Sequence, residues 1–510
     1  MARKTFYLGF LLLIGTWTVP ADLSAQDHAE EPRTLPGATE IGDYESLIQR
    51  LRTLEERTEE LESVAGGSTE QTGYSEEGST GGSLIDRVSN LEQSWINYST
   101  TQSSSSSGKP TLKINGRIHL DSWTFPNSSD GINFFENPIS GVDPQDRLFF
   151  RRVRLKFEGD VNDNMFYRMQ FDVHSPGEGE MKDIYIGFKN LPFLNTVKIG
   201  NQKRPLGMDH LNSSRFNIFI ERPLVVEAFN EDARRIGFAS YSSSEDEVYH
   251  LAYGLFGLKN TVGDGAIIGD SRQMSFNARL HSSPWYDETS GGRGYFHWAV
   301  SGMIARPDGD VSPLDGNLNQ ARFRTRAELR SDLRWINTGR IAGAERYDIV
   351  GLESALNIGP FHVVGEYQFN WTKRDNTTAG TGDDLYFHGA YIQAAYMLTG
   401  EHMPYKRSAG TVDRVKPFEN FFLVNCCDGE KNGGWGAWQV AARYSYLDLS
   451  DEDILGGVEN NTTLALVWYM NPNASLQFNA VYGEIRDHSP TGGFSGGHFT
   501  ALGTRLRLNF

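Results

Sequence analysis

From Pro110 to Phe510 apolar and polar positions alternate with period two, interrupted by loops. In Leu112-Lys113-Ile114-Asn115-Gly116-Arg117-Ile118-His119-Leu120-Asp121 the even positions are apolar or glycine and the odd ones polar or charged. At the other end Leu502, Thr504, Leu506, Leu508 and Phe510 alternate with Gly503, Arg505, Arg507 and Asn509. Similar stretches fall near residues 165–174, 182–190, 434–449, 460–471 and 474–486, bounded by turn-formers such as Asn471-Pro472-Asn473. Each approaches or exceeds the ~9–11 residues that carry a tilted strand across a bilayer. Hydrocarbon leaves no backbone donor or acceptor unpaired, so such strands must close into a barrel, greasy outside and polar inside. About seventeen candidate strands are countable, and a bacterial barrel takes an even number, so the pattern predicts sixteen, with eighteen as the alternative.

A different period governs the start of the chain. Leu47, Leu51, Leu54, Thr58 and Leu61 recur at heptad spacing among charges, and Leu84, Val88, Leu91 and Trp95 continue it. The Gly/Ser/Thr-rich stretch at about 66–82 breaks the seam, so residues 26–98 are expected to form an interrupted coiled-coil extension. Serine-rich residues 99–109 then read as a linker before the barrel at 110–510. Residues 1–25 read as an export signal: Arg3 and Lys4, a short apolar core from Phe6 to Ile14, then Leu23-Ser24-Ala25 as a cleavage site. The terminal Phe510 closes an amphipathic strand, the ending that the barrel-assembly machinery recognises.

Composition adds limits to this picture. Aromatic residues make up 12% of the chain and there are 54 glycines, a mixture suited to many turns and to aromatic girdles at two lipid boundaries. The formal charge is −17, which disfavours nucleic-acid binding. The two cysteines, Cys426 and Cys427, are adjacent and cannot staple distant segments. The histidines have no metal-like spacing, Gly263-x-Gly265 lacks the strand-to-helix context of a nucleotide loop, and Asp308-Gly309-Asp310 reads as a solvated loop tip. Neither an enzymatic activity nor a cofactor or metal is expected.

Charge by strand phase changes the picture most. The polar phase carries Lys113, Arg117, His119 and Asp121; then Arg152, Arg154, Lys156 and Glu158; then Arg168, Gln170 and Asp172. A stretch at 321–330 alternates Arg322, Arg324, Arg326, Glu328 and Arg330 with Phe323, Thr325, Ala327 and Leu329, and the last strand adds Arg505 and Arg507. Twelve cations against four carboxylates on this phase predict a basic lumen within an acidic protein. A narrow low-dielectric channel focuses such a field, favouring passive diffusion of small anions.

Six stretches resemble the phosphate-selective porin O and P family: Phe150-Arg151-Arg152-Val153-Arg154-Leu155, Asp183 to Lys189, Ile199 to Met208, Tyr391 to Glu401, Gly436 to Leu449, and Trp468 to Asn473. The resemblance spans about residues 110–510 and implies a trimeric sixteen-stranded barrel with an inward-folded loop at its constriction. It also implies that phosphate or a related oxyanion passes, although the acidic total departs from strict phosphate specificity. Arg151-Arg152 resembles an arginine pair on an early strand, but Arg151 falls on the outward phase and needs a bulge to reach the lumen. Lys203 and Arg204 match a basic position after Gly200-Asn201-Gln202, and the segments holding Arg215 and Arg222 resemble the entry to the constriction. The expected setting is the outer membrane, with lipid, small anionic solutes and the assembly machinery as partners and the extension in the periplasm. The rival reading is a structural barrel tethering the membrane to the cell wall through the coiled coil, with a weakly selective pore. Deleting residues 26–109 separates the two.

Overall fold

The computed structural model describes residues 110–175, 178–231, 233–261, 268, 272–311, 318–375, 382–425 and 431–510. The expected export signal, coiled coil, linker, Gly263-x-Gly265 and the cysteine pair lie outside the described residues.

Sixteen antiparallel strands form one closed sheet in which each pairs with its chain neighbours. They are β1 (Lys113–Ser128), β2 (Arg147–Asn162), β3 (Met165–Ser175), β4 (Glu178–Leu191), β5 (Asn195–Lys203), β6 (Arg234–Ser243), β7 (Tyr249–Gly257) and β8 (Met274–Tyr286). The second half comprises β9 (Gly294–Arg306), β10 (Ala344–Ile358), β11 (Phe361–Arg374), β12 (Leu385–Met397), β13 (Ala437–Asp451), β14 (Ile454–Tyr469), β15 (Ala474–His488) and β16 (Gly497–Asn509).

Alternation fixes which way each strand turns. In β16 Ala501, Gly503, Arg505, Arg507 and Asn509 are buried inside, while Leu502, Leu506, Leu508 and Phe510 are exposed on the outer wall. A slip by one residue would place both arginines in lipid, at about 2–4 kcal/mol each near the midplane. Closure sets β1 against β16 with His119 opposite Arg507 and Asp121 opposite Arg505. It ends on reciprocal backbone bonds between Gly116 and Phe510, 2.8 and 3.2 Å. Gly116 is there because a β-carbon would lie 2.6 Å from both the Phe510 ring and the Arg154 carbonyl.

Three connections fold into the barrel. Residues 204–233, between β5 and β6, carry the short helices Met208–Leu211 and Leu224–Phe229. Residues 307–343, between β9 and β10, carry a two-residue ribbon, Arg324–Thr325 against Ile336–Asn337, and no longer strand among the described residues. The stretch 321–330 is therefore not a wall strand, and its apolar members do not meet lipid. Phe323, Ala327 and Leu329 are buried within the lumen, where Phe323 packs edge-on to Phe229 and Tyr347 at 5.6 and 5.2 Å between ring centres. An alternating segment can bury its apolar side against an interior core as well as against hydrocarbon, and the amino-acid pattern is the same.

The third connection, 398–436 between β12 and β13, enters from the opposite end, where every other turn is short. Its ribbon, Tyr405–Lys406 against Thr411–Val412, is held by Arg279, which donates to the Ala409 and Gly410 carbonyls at 3.2 and 3.1 Å. Arg279 in turn forks onto Glu353, and Tyr405 Oη lies 2.8 Å from His297 Nδ1. At the tip the Val412 amide donates to Asn212 Oδ1 at 3.1 Å, so connections from the two ends meet inside the barrel.

Candidate functional site

These insertions leave a cavity of about 840 Å³ against the wall of β1 to β8. Seventeen lysines and arginines line it, with five carboxylates. Of the cations singled out from sequence, Arg117, Arg151, Arg152, Arg154, Lys156, Arg168, Lys203, Arg215, Arg222, Arg326 and Arg330 lie on this cavity.

Arg151 reaches it through the irregularity its phase requires. His119 pairs with Arg152 and Leu120 with Phe150, so Arg151 is the extra residue of a bulge and turns inward with its neighbour. Arg151 forks onto Glu221 of the 204–233 connection, whereas Arg152 Nη1 lies 3.5 Å from His119 Nδ1. Arg117 Nη1 donates to Ser214 Oγ at 2.7 Å and Arg215 Nη2 to Asn115 Oδ1 at 2.8 Å. Lys203 Nζ is spent on the carbonyls of His210, Leu211 and Asn212 at 2.7, 3.1 and 2.8 Å, which anchors the connection to the end of β5. Arg222 reinforces that anchor through Asp209 Oδ1, 2.6 Å, and the Asn212 carbonyl, 3.0 Å.

Several of the cations are neutralised. Arg154 pairs with Asp172 at 2.5 Å, Lys156 and Arg168 share Glu158, and Arg326 Nη1 stands 3.9 Å from Glu227. Arg117, Arg152, Lys198, Lys203, Arg215 and Arg330 have no carboxylate within ion-pair distance among the described residues. The cavity wall therefore keeps a positive surplus.

Six expected lining residues lie elsewhere. Lys113 is exposed at the start of β1. Arg505 and Arg507 do turn inward, but residues 217–221 seal them off: Arg505 is paired with Asp121 and Glu221, and Arg507 bonds Ser475 Oγ and the Asn217 carbonyl. Arg204 and Arg322 face a separate cavity of about 250 Å³, with Arg235, Lys259 and Arg340. Arg324 donates from Nε to Glu231 at 2.7 Å and borders neither space.

Sequence reasoning missed six of the cavity's cations: Lys182, Lys198, Arg234, Arg279, Arg334 and Lys406. A signal existed for Lys198, set between Val197 and Ile199 in a short apolar run. No period announces Arg334 or Lys406, which sit on inserted connections.

Electrostatics within the 204–233 connection separates Glu221 from Glu227. Burial alone would raise the Glu221 carboxyl, but Arg151, Arg505 and Arg152 hold it well below the usual range. For Glu227 burial wins over Arg334 and Arg326, and the carboxyl is raised. Around Asp308 and Asp310, as elsewhere among the described residues, no group of three or more His, Cys, Asp or Glu side chains stands ready for a metal ion.

A closed sixteen-stranded sheet, apolar outside and polar inside, with connections folded into its lumen, defines an outer-membrane porin. The chain belongs to the phosphate-selective porin O and P family, whose model matches residues 126–510. Porin O of Pseudomonas aeruginosa is 23% identical over 439 residues, 78% of this chain and 88% of that one. An uncharacterized protein of Caulobacter vibrioides is 28% identical over 371 residues, 71% of this chain and 68% of its own. Among solved structures, OmpT of Vibrio cholerae aligns with a TM-score of 0.46 at 10% identity, covering 79% of this chain and 100% of that one. An anion-selective porin from Comamonas acidovorans aligns with a TM-score of 0.44 at 12% identity, with the same coverages of 79% and 100%.

Proposed function

We propose that this porin is a passive channel for small anions, with phosphate or a related oxyanion as its solute. The observation that carries the reading is the surplus of guanidinium and ammonium groups on one continuous cavity, several without a carboxylate partner. Arginine suits the task because its planar fork matches phosphate or carboxylate oxygens and stays charged at any physiological pH. In this reading the solute passes between the bulge at Arg151 and Arg152 on β2 and the 204–233 connection. Arg326 and Arg330 extend the path along the 307–343 connection. The loop-rich end faces the exterior, the extension at 26–98 lies in the periplasm, Phe510 serves as the assembly signal, and three copies associate.

The test is the zero-current reversal potential of the full chain in planar bilayers under a salt gradient. Anion preference is expected, with inorganic phosphate reducing chloride current at millimolar concentration. Cation preference would overturn the proposal.

A further inference from the structure

Three cations stand together on the outer wall at the loop-rich rim. Arg306 ends β9 and follows the outward Val300 and Ile304, both about half exposed. Lys373 follows the outward Trp371 on β11, and Arg346 precedes the outward Val350 and Leu352 on β10. Arg346 and Lys373 are direct cross-strand partners, and Tyr347 opposite Ala305 puts Arg306 beside Arg346. Like charges directly opposed on one face of a sheet repel and destabilise it. Asp348 accepts from Arg346 Nε at 2.9 Å, and Glu345 is exposed at the neighbouring bulge. Neither Arg306 nor Lys373 has an ion-pair partner among the described residues. On the same rim the outward Arg486 stands 3.6 Å from Asp487.

What lies beneath the cations is equally specific. The next row toward the middle of the wall runs Ile304, Asp348, Trp371 and Tyr386, and the following row Gly302, Val350, Phe369 and His388. Trp371 stacks on Phe369 and packs at a tilt against Tyr386, 5.7 Å between ring centres in each case, which makes an aromatic shelf below a cationic edge. An amphiphile with acyl chains below and phosphate above complements both layers, whereas a soluble anion uses only the upper one.

We infer that Arg306, Arg346 and Lys373 form a binding site for the phosphate groups of an outer-leaflet lipid, whose acyl chains lie along the Trp371 shelf. The inference rests on the outer-membrane placement and orientation proposed above, but not on the selectivity of the lumen, because all three side chains face away from it.

The experiment compares the full chain with an R306A/R346A/K373A variant by native mass spectrometry in detergent, titrating bisphosphorylated lipid A, its dephosphorylated form and inorganic phosphate in turn. The expected result is at least about tenfold weaker binding of the bisphosphorylated lipid by the variant. The dephosphorylated lipid and inorganic phosphate should not distinguish the two proteins, and an R306K/R346K variant should keep the lipid. Equal retention by wild type and triple variant would overturn the inference. So would a fall in oligomer mass in the variant, which would assign this face to a neighbouring copy. Reversal potentials measured on the same preparations report the pore reading separately: unchanged anion preference with lost lipid supports the site.

Discussion

Arg151 of β2 and Glu221 of the inserted connection share a two-pronged contact, Nε to Oε1 at 2.9 Å and Nη2 to Oε2 at 3.2 Å. Arg505 of β16 reaches Oε1 of the same carboxylate at 2.9 Å. Glu221 is thus the negative centre around which the connection is docked, and it subtracts one charge from the cavity. Glu221→Gln is expected to raise the anion-over-cation permeability ratio by about threefold, the scale of one partly screened unit charge. Reversal potentials in planar bilayers check this, and a fall in the ratio would contradict it.

Arg152 and Arg324 should behave differently although both were legible as inward cations. Arg152 lies on the cavity without a carboxylate, whereas Arg324 is bound to Glu231 away from it. Arg152→Ala is expected to lower anion preference about threefold, and Arg324→Ala to change it by less than about twofold. Equal effects in the same bilayer assay would mean that the solute path runs past both.

Acidification should increase anion preference. Burial lifts Glu227 above its ordinary 4.5, so it takes up a proton first as pH falls, while Glu221 stays ionised to far lower pH. Losing a carboxylate charge makes the cavity more positive, so the reversal potential should move toward the anion limit as the pH falls through the raised titration of Glu227. Glu227→Gln should remove that movement, and persistence of the full shift in this variant would assign it elsewhere.

Closure of the barrel depends on a space at Gly116. Any β-carbon there meets the Phe510 ring and the Arg154 carbonyl, so Gly116→Val should lower the fraction of folded, heat-modifiable barrel on gels. Gly291, with nothing near its virtual β-carbon, gives a control position for crowding, although its left-handed φ of 68° adds its own strain.

Alternation made most of the wall readable. The stretches near 165–174, 182–190 and 474–486 correspond to β3, β4 and β15 within a few residues, and 460–471 to β14, which begins six residues earlier at Ile454. The same rule misplaced 321–330, because Phe323 packs on Phe229, Tyr347 and Phe387, and Ala327 and Leu329 are buried in the same interior core rather than in lipid. Period reports which side is buried, not what buries it. The inward turn of Arg151 was conditional on a bulge, and pairing with β1 supplies one. Lys406 on its inward ribbon was invisible for another reason: its position is fixed by contacts from Arg279 and His297, far away in sequence.

The one-sided placement of the cavity has an electrical consequence. Its lining comes from β1 to β8 and the inserted connections, while packed side chains back the remainder of the wall. On the proposed route through this cavity, ionic resistance is concentrated in an off-axis passage, and most of an applied voltage falls there. A permeating ion then feels the field while beside the cations of that passage, Arg117 and Arg152 among them, so current should level off once it is continuously occupied, at salt concentrations where a wide central pore would still conduct in proportion.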